Sequence, residues 1–327
     1  MRRALVLALV LLGVTAPAQA ATTLPRLIPG MNTPGQLAPE HEVNFGVEAT
    51  RSRAPMVRFQ ISCPCKKNLD RINALNARGD GTKVLAVLLE SPWWGNREIT
   101  EADVDRYRES VRRTVTALTP LGVNHYEVWN EPDLPQFWPG PRSGRRYTHF
   151  LRAAYPVIKE IQPKAVVISA GVTNNNRAFV EQMYDAGAGR YLDAVGTHVY
   201  PQGRAGDCSA NEASRLAQLC GVQMIHNVMR AHGDGAKQVW LTEFGRWVCS
   251  NSPTRGCVDE AVQASFLSNA YAYLRRYPFL RSAFWFSDWD YESDDRLYGL
   301  RSADLTERPG FGRFRTEALR WRVQAGW

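Results

Sequence analysis

Two glutamates in this 327-residue chain each close an apolar run. Glu131 ends "YEVWNE" and is followed by Pro132, which has no N–H with which to continue a strand. Glu243 ends "VWLTE", just ahead of Phe244 and Gly245. A single acid at a strand end serves as often as an ion-pair partner or loop anchor. Two acids facing one pocket are the equipment for cutting a glycosidic bond: one protonates the leaving oxygen while the other attacks the anomeric carbon or activates water. Companions strengthen the pair. His198 and Tyr200 lie two apart, hence on one face of an extended segment.

Such residues need a scaffold that gathers strand ends. Short apolar, β-branched runs recur at "MVRFQIS" (56–62), "KVLAVLL" (83–89), "HYEVWN" (125–130), "AVVISAG" (165–171), "AVGTHVY" (194–200), "QVWLTEF" (238–244) and "SAFWFSD" (282–288), each the pattern of a buried strand. Helical stretches lie between them. The clearest is "TEADVDRYRESVRRTVTAL", where Val104, Tyr107, Val111, Val115 and Leu118 make one apolar stripe and Thr100 can cap the start. Strand then helix, repeated, predicts a parallel sheet. An eighth strand is placed at "RLIPGMN" (26–32), which leaves 33–55 for the crossover. "EVNFGVEA" competes with it, because Val43, Phe45, Val47 and Ala49 alternate with period two. The 112 residues from Glu131 to Glu243 make three units of barrel length. The expectation is a single-domain (β/α)8 TIM barrel, whose site gathers at the C-terminal ends of the strands. An open doubly wound sheet would want a glycine-rich phosphate turn, and none is present.

"WNEP", "HVYP", "TEFG" and "FWFSDW", in this order at barrel spacing, resemble the clan A glycoside hydrolases, retaining (β/α)8 enzymes that include families 5 and 39. The resemblance runs from about residue 26 to the C-terminus. It implies that Glu131 is the acid/base, that Asn130 beside it binds the sugar 2-hydroxyl, and that Glu243 is the nucleophile. It further implies that Arg58 sustains the charge of Glu243, that His198 orients the site, that Tyr200 donates to the nucleophile, and that Trp285 floors the cleaved subsite. Of ten tryptophans, Trp93, Trp94, Trp138, Trp247 and Trp289 follow strand ends and are expected to line further subsites by stacking on sugar rings. Trp129 and Trp240, inside strands, are expected in the core. The implied activity is cleavage of β-glycosidic bonds in a polysaccharide by double displacement. A transglycosylase would use the same residues, and a carbohydrate-binding barrel without catalysis is the rival from another class. Neither cofactor nor metal is expected: a metal-dependent barrel hydrolase wants H-x-H near strand one, and the early chain offers only His41.

The N-terminus, "MRRALVLALVLLGVTAPAQA", has a basic start, a short apolar run and an Ala-Gln-Ala before Ala21, the marks of a cleaved signal. Residues 1–20 are expected to be removed, leaving a catalytic domain over 21–327 in the periplasm or outside the cell. Loss of Arg2 and Arg3 lowers the formal charge from +8 to +6. Arginines are scattered rather than clustered, so nucleic acid is not an expected partner. The loops "PDLPQFWPGPRSGRR" and "WVCSNSPTRGC" are aromatic and basic, which suits a polymer cleft; a monomer without membrane insertion is expected. Six cysteines in an exported chain predict disulfides. Cys208 with Cys220 and Cys249 with Cys257 are the natural pairs, and the state of Cys63 and Cys65 stays open. Zinc is disfavoured, since paired C-x-x-C units are lacking.

Overall fold

The computed structural model describes residues 27–33, 44–90, 93–250, 256–290 and 296–327. Strands β1 (Ile28–Asn32), β2 (Met56–Ile61), β3 (Lys83–Leu88), β4 (His125–Val128), β5 (Val166–Ser169), β6 (Ala194–Val199), β7 (Gln238–Phe244) and β8 (Leu280–Trp285) pair in parallel in chain order. Strand β8 pairs back onto β1, Gly30 opposite Phe284, and closes the barrel. The expected leader, residues 1–20, lies outside the described residues. Among these, no helix is long and apolar enough to cross a membrane.

Helices fill the crossovers. They are α1 (Phe45–Thr50), α2 (Lys66–Ala77), α3 (Glu101–Leu118), α4 (Gly144–Ile161), α5 (Arg177–Asp185), α6 (Glu212–Leu216), α7 (Val222–Ala231), α8 (Glu260–Leu274) and α9 (Pro309–Ala325). The period-two reading around residues 43–49 is corrected from Phe45 onward. Phe45 and Ala49 are buried and Val47 is 40% exposed, which is also what one turn of helix produces when positions i and i+4 face the core. Helix α3 starts as its sequence dictates: the Thr100 hydroxyl accepts from the Asp103 N–H, and the Asp103 carboxylate accepts from the Thr100 N–H. Its Tyr107, Val111, Val115 and Leu118 are buried, each worth roughly 1.5–3 kcal/mol of burial.

Two separate apolar layers result. The larger lies between sheet and helices. The smaller fills the barrel itself with Ile28, Met56, Leu85, Ile168, Ala194, Trp240 and Phe284, packed with Trp321 of α9. Strand alternation makes the next residues on the same inner face Gly30 and Asn32 on β1, Arg58 on β2, and Gly196 and His198 on β6. Gly30 is required there, because a Cβ would lie 2.3 Å from the Phe284 ring. The inside of the barrel thus changes from hydrocarbon at the strand starts to charge at the strand ends. Disulfides Cys208–Cys220 and Cys249–Cys257 form as expected, and Cys63 closes on Cys65 at the end of β2.

Candidate active site

Glu131 stands three residues beyond β4, and the chain reaches it through two left-handed backbone turns, φ 76° at Trp129 and 40° at Glu131. Neither residue is glycine, so each conformation costs about 1–3 kcal/mol that its surroundings must offset. The offset is visible. The Tyr147 hydroxyl donates to the Val128 carbonyl and accepts from the Ala170 N–H, the Trp129 indole donates to the Phe137 carbonyl, and the Glu131 N–H donates to the Gly171 carbonyl at 3.1 Å. Three strands on from β4, Glu243 sits near the end of β7, where the pairing register with both β6 and β8 is broken. A break of this kind turns consecutive side chains to one side, and Thr242 and Glu243 both address the interior cluster.

Arg58 is the hub. It is 2% exposed and spends its planar fork on four acceptors: Glu127 Oε2 at 2.5 Å, Asn32 Oδ1 at 2.8 Å, Glu243 Oε1 at 2.7 Å and Asn130 Oδ1 at 2.8 Å. The other oxygen of Glu243 accepts from the Tyr200 hydroxyl. His198 Nδ1 meets Glu131 Oε1 at 2.8 Å and lies 3.5 Å from Glu243 Oε2. Ligand-capable oxygens of Glu131 and Glu243 and a ring nitrogen of His198 lie within 4.8 Å of one another, the one such group of three among the described residues. Both oxygens of Glu243 already accept a hydrogen bond, from Arg58 and from Tyr200.

The two acids are pushed in opposite directions. Burial pushes the Glu131 carboxyl up, reinforced by the charges of Glu243 and Asp133 and opposed by its contact with His198. Burial acts on Glu243 as well, but the charges of His198 and Arg58 and the Tyr200 hydrogen bond outweigh it and hold that carboxyl below its usual range. One carboxyl raised beside one lowered is the arrangement that acid-assisted displacement demands.

Asn130, His198 and Tyr200 therefore meet Glu131, Glu243 and Arg58 at one point, as their placement in sequence required. Most of the tryptophans do not. Trp285 is fully buried, because it points to the outer face of β8 against Phe244 and Phe266. Trp94 and Trp138 pack with Trp129 and Phe150 in an aromatic cluster behind β4; Trp289 is 1% exposed under Arg301, and Trp247 is 6% exposed against Tyr298. The stacking expected of Trp94, Trp138, Trp285 and Trp289 is corrected on that ground: their faces are spent on protein. Trp93 remains half-buried. Phe286, one residue beyond Trp285 and hence on the inner face, is also half-buried, with its ring 6.0 Å from that of Tyr200.

Sequence reasoning missed Glu127, Thr242, Asn32, Gly171 and Phe286. Glu127 is fully buried and accepts from Arg58, from the Gly171 N–H at 2.9 Å and from the Thr242 hydroxyl at 2.9 Å. A Cβ on Gly171 would fall 2.0 Å from His198 Nε2, so only glycine admits the imidazole. The available signal was strand parity, which places Glu127 inside with Arg58 and sends Trp285 out.

A family model described as glycosyl hydrolase catalytic core matches residues 94–307, a stretch that contains both acids. No curated protein matches the chain by sequence. Solved structures resemble it in fold. A family 39 glycoside hydrolase from Bacteroides cellulosilyticus WH2 is 18% identical with a TM-score of 0.67, over 90% of this chain and 65% of that one. A β-xylosidase from Caulobacter crescentus CB15 is 18% identical, TM-score 0.64, over 89% and 67% of the two chains. A GH5_18 protein from Streptomyces cattleya, solved with GlcNAc, is 15% identical, TM-score 0.64, over 92% and 82%. The chain spans slightly less than two thirds of the Bacteroides protein's length.

Proposed function

The chain belongs to the glycosyl hydrolase catalytic core family, and from that premise we propose that it is a retaining glycosidase that cleaves β-glycosidic bonds of a polysaccharide outside the cytoplasm. The observation that carries the reading is the closeness of two carboxyl groups, an oxygen of each lying within 4.8 Å of the other, with their pKa values pushed in opposite directions. Retaining enzymes hold their carboxyl groups ~5–5.5 Å apart, whereas inverting ones leave ~6.5–9.5 Å for a water.

In the first step Glu131 delivers its proton to the glycosidic oxygen while a Glu243 oxygen forms a bond to the anomeric carbon. The leaving group departs with its bonding electrons and the proton. Esterification removes the charge of Glu243, so the Glu131 carboxylate can take a proton from water, whose oxygen displaces Glu243 in the second step. Asn130, its carbonyl oxygen engaged by Arg58, has an amide N–H2 to offer a substrate hydroxyl. Phe286, half-buried beside Tyr200, is an aromatic surface for a sugar ring, whereas the half-buried Trp93 carries Arg106 over its ring. Action on a polymer draws support from the basic, aromatic loops, and glycosidase action from structural neighbours that include a β-xylosidase. Export draws support from the signal-like residues 1–20 and the three disulfides.

The test is Glu243→Ala. It should abolish turnover of an aryl β-glycoside, and added azide should restore turnover and give a glycosyl azide of inverted anomeric configuration. Rescue with retention, or full activity without azide, overturns the assignment.

A further inference from the structure

His198 has two nitrogens, and the atoms around it decide which one carries hydrogen. Glu127 accepts from Arg58 Nε and from the Gly171 N–H, so it is an ionised acceptor with no proton to give. Thr242 Oγ1 lies 2.9 Å from Glu127 Oε1, a distance two oxygens hold only with a hydrogen between them, and that hydrogen must be the threonine's. The hydroxyl has then spent its one donor. At its other contact, His198 Nε2 at 3.0 Å, it can only accept. Nε2 therefore carries hydrogen in either charge state of the ring; Glu243 and Glu131 push the imidazole toward its charged form, and once it has lost its second proton the lone pair at Nδ1 faces Glu131 Oε1, 2.8 Å away.

We propose that Glu127 and Thr242 are positioning residues that lock His198 in the Nε2–H form, so that Nδ1 acts as hydrogen-bond acceptor for the protonated Glu131 carboxyl. This rests on the reading of Glu131 as the acid. A hydrogen bond accepted from the neutral carboxyl favours that form, while one donated to the carboxylate by an Nδ1–H would favour the anion. The lock thus works in the direction an acid needs. The other groups that face the His198–Glu131 pair are Arg58 on β2, Asp133 after β4, Tyr200 after β6, Glu243 on β7 and, beyond Tyr200, Tyr298. Thr242 stands 3.0 Å from Nε2, and Glu127 itself stands 3.9 Å off. Gly171 completes the device with its N–H on Glu127, its carbonyl on the Glu131 N–H, and no side chain where the ring must lie.

Two measurements test it. In the unaltered protein, 15N spectra of labelled histidine should show His198 Nε2 bearing hydrogen at every pH, with Nδ1 alone titrating; a neutral ring bearing hydrogen on Nδ1 overturns the proposal, whether or not the protein cleaves glycosides. In Thr242→Val, which keeps the shape and removes the acceptor, the tautomer should reverse. The basic limb of the kcat/KM profile should then move about one pH unit toward acid, while Thr242→Ser should restore the original limb. A uniform loss of rate with the limb unmoved would mean that Thr242 only packs.

Discussion

Arg58→Lys keeps the charge at the centre of the site and removes the fork. The guanidinium reaches four acceptors spread around its plane, and a single ammonium nitrogen on a shorter reach retains about two. Each lost bond between a charged donor and a buried partner costs ~1.5–3 kcal/mol. The variant should therefore lose about 3–6 kcal/mol of a total stability that for domains is ~5–15 kcal/mol, and full burial leaves no solvent screening to soften the loss. The distance to Glu243 also grows. Lengthening the contact from 2.7 Å to about 4 Å at an effective dielectric near 20 weakens the attraction by roughly 2 kcal/mol, which raises the Glu243 pKa by about one to one and a half units. The sign follows from the direction of the native shift. Glu243 is depressed, so its pairing stabilises the fold above the carboxylate range of the unfolded chain, and that stabilisation fades as pH falls through the folded pKa. The deficit of Arg58→Lys should be complete near neutral pH and narrow in acid, and the acidic limb of the kcat/KM profile should move to higher pH. Urea unfolding at pH 7 and pH 4, with kinetics over the same range, reads both. A loss under ~1 kcal/mol together with an unmoved acidic limb would refute the view of Arg58 as hub.

The inner and outer faces of β8 make a sharper pair of variants. Phe286→Ala should raise KM for a small aryl glycoside several-fold with little change in Tm. Trp285→Phe should lower Tm by several degrees through a lost buried indole, with KM nearly unchanged; the reverse pattern would return the subsite to Trp285. Replacing Cys208 and Cys220 by Ser, or Cys249 and Cys257, should cost roughly 2.5–3 kcal/mol per bridge from loop-closure entropy, measured by urea unfolding with and without reductant. No difference for either pair would mean that the unfolded chain is already restrained there.

Strand placement was legible because buried parallel strands are continuous apolar runs, and even the first, Ile28–Asn32, falls within the stretch chosen for it. Around Phe45–Thr50 the same logic misled, since over one turn i, i+2 and i, i+4 patterns share too many positions to be separated. The acids, Arg58, His198 and Tyr200 were legible as polar residues at strand ends. Glu127 was not, because a charge in mid-strand reads as an exposed position unless one knows that the opposite wall carries Arg58. The tryptophans misled for a related reason. Nearness to a strand end says that a ring is near the site, while parity and the neighbouring rings decide whether its face is free, and for Trp94, Trp138 and Trp129 those neighbours are one another.

The enclosed trio of Arg58, Glu127 and Glu243 offers a criterion for sorting other chains with this barrel. Removing one member strands its partners as uncompensated charges, whereas replacing all of them with hydrocarbon of similar volume is often neutral or stabilising. A lineage that had abandoned chemistry and kept only sugar binding would have no reason to pass through the unstable single losses, yet would gain by exchanging the set. Positions 58, 127 and 243 should accordingly be lost in concert among pseudoenzymes and kept in concert among active relatives. A chain that keeps the acid after strand four but carries hydrocarbon at all three positions should be classed with the former, however well its remaining motifs read.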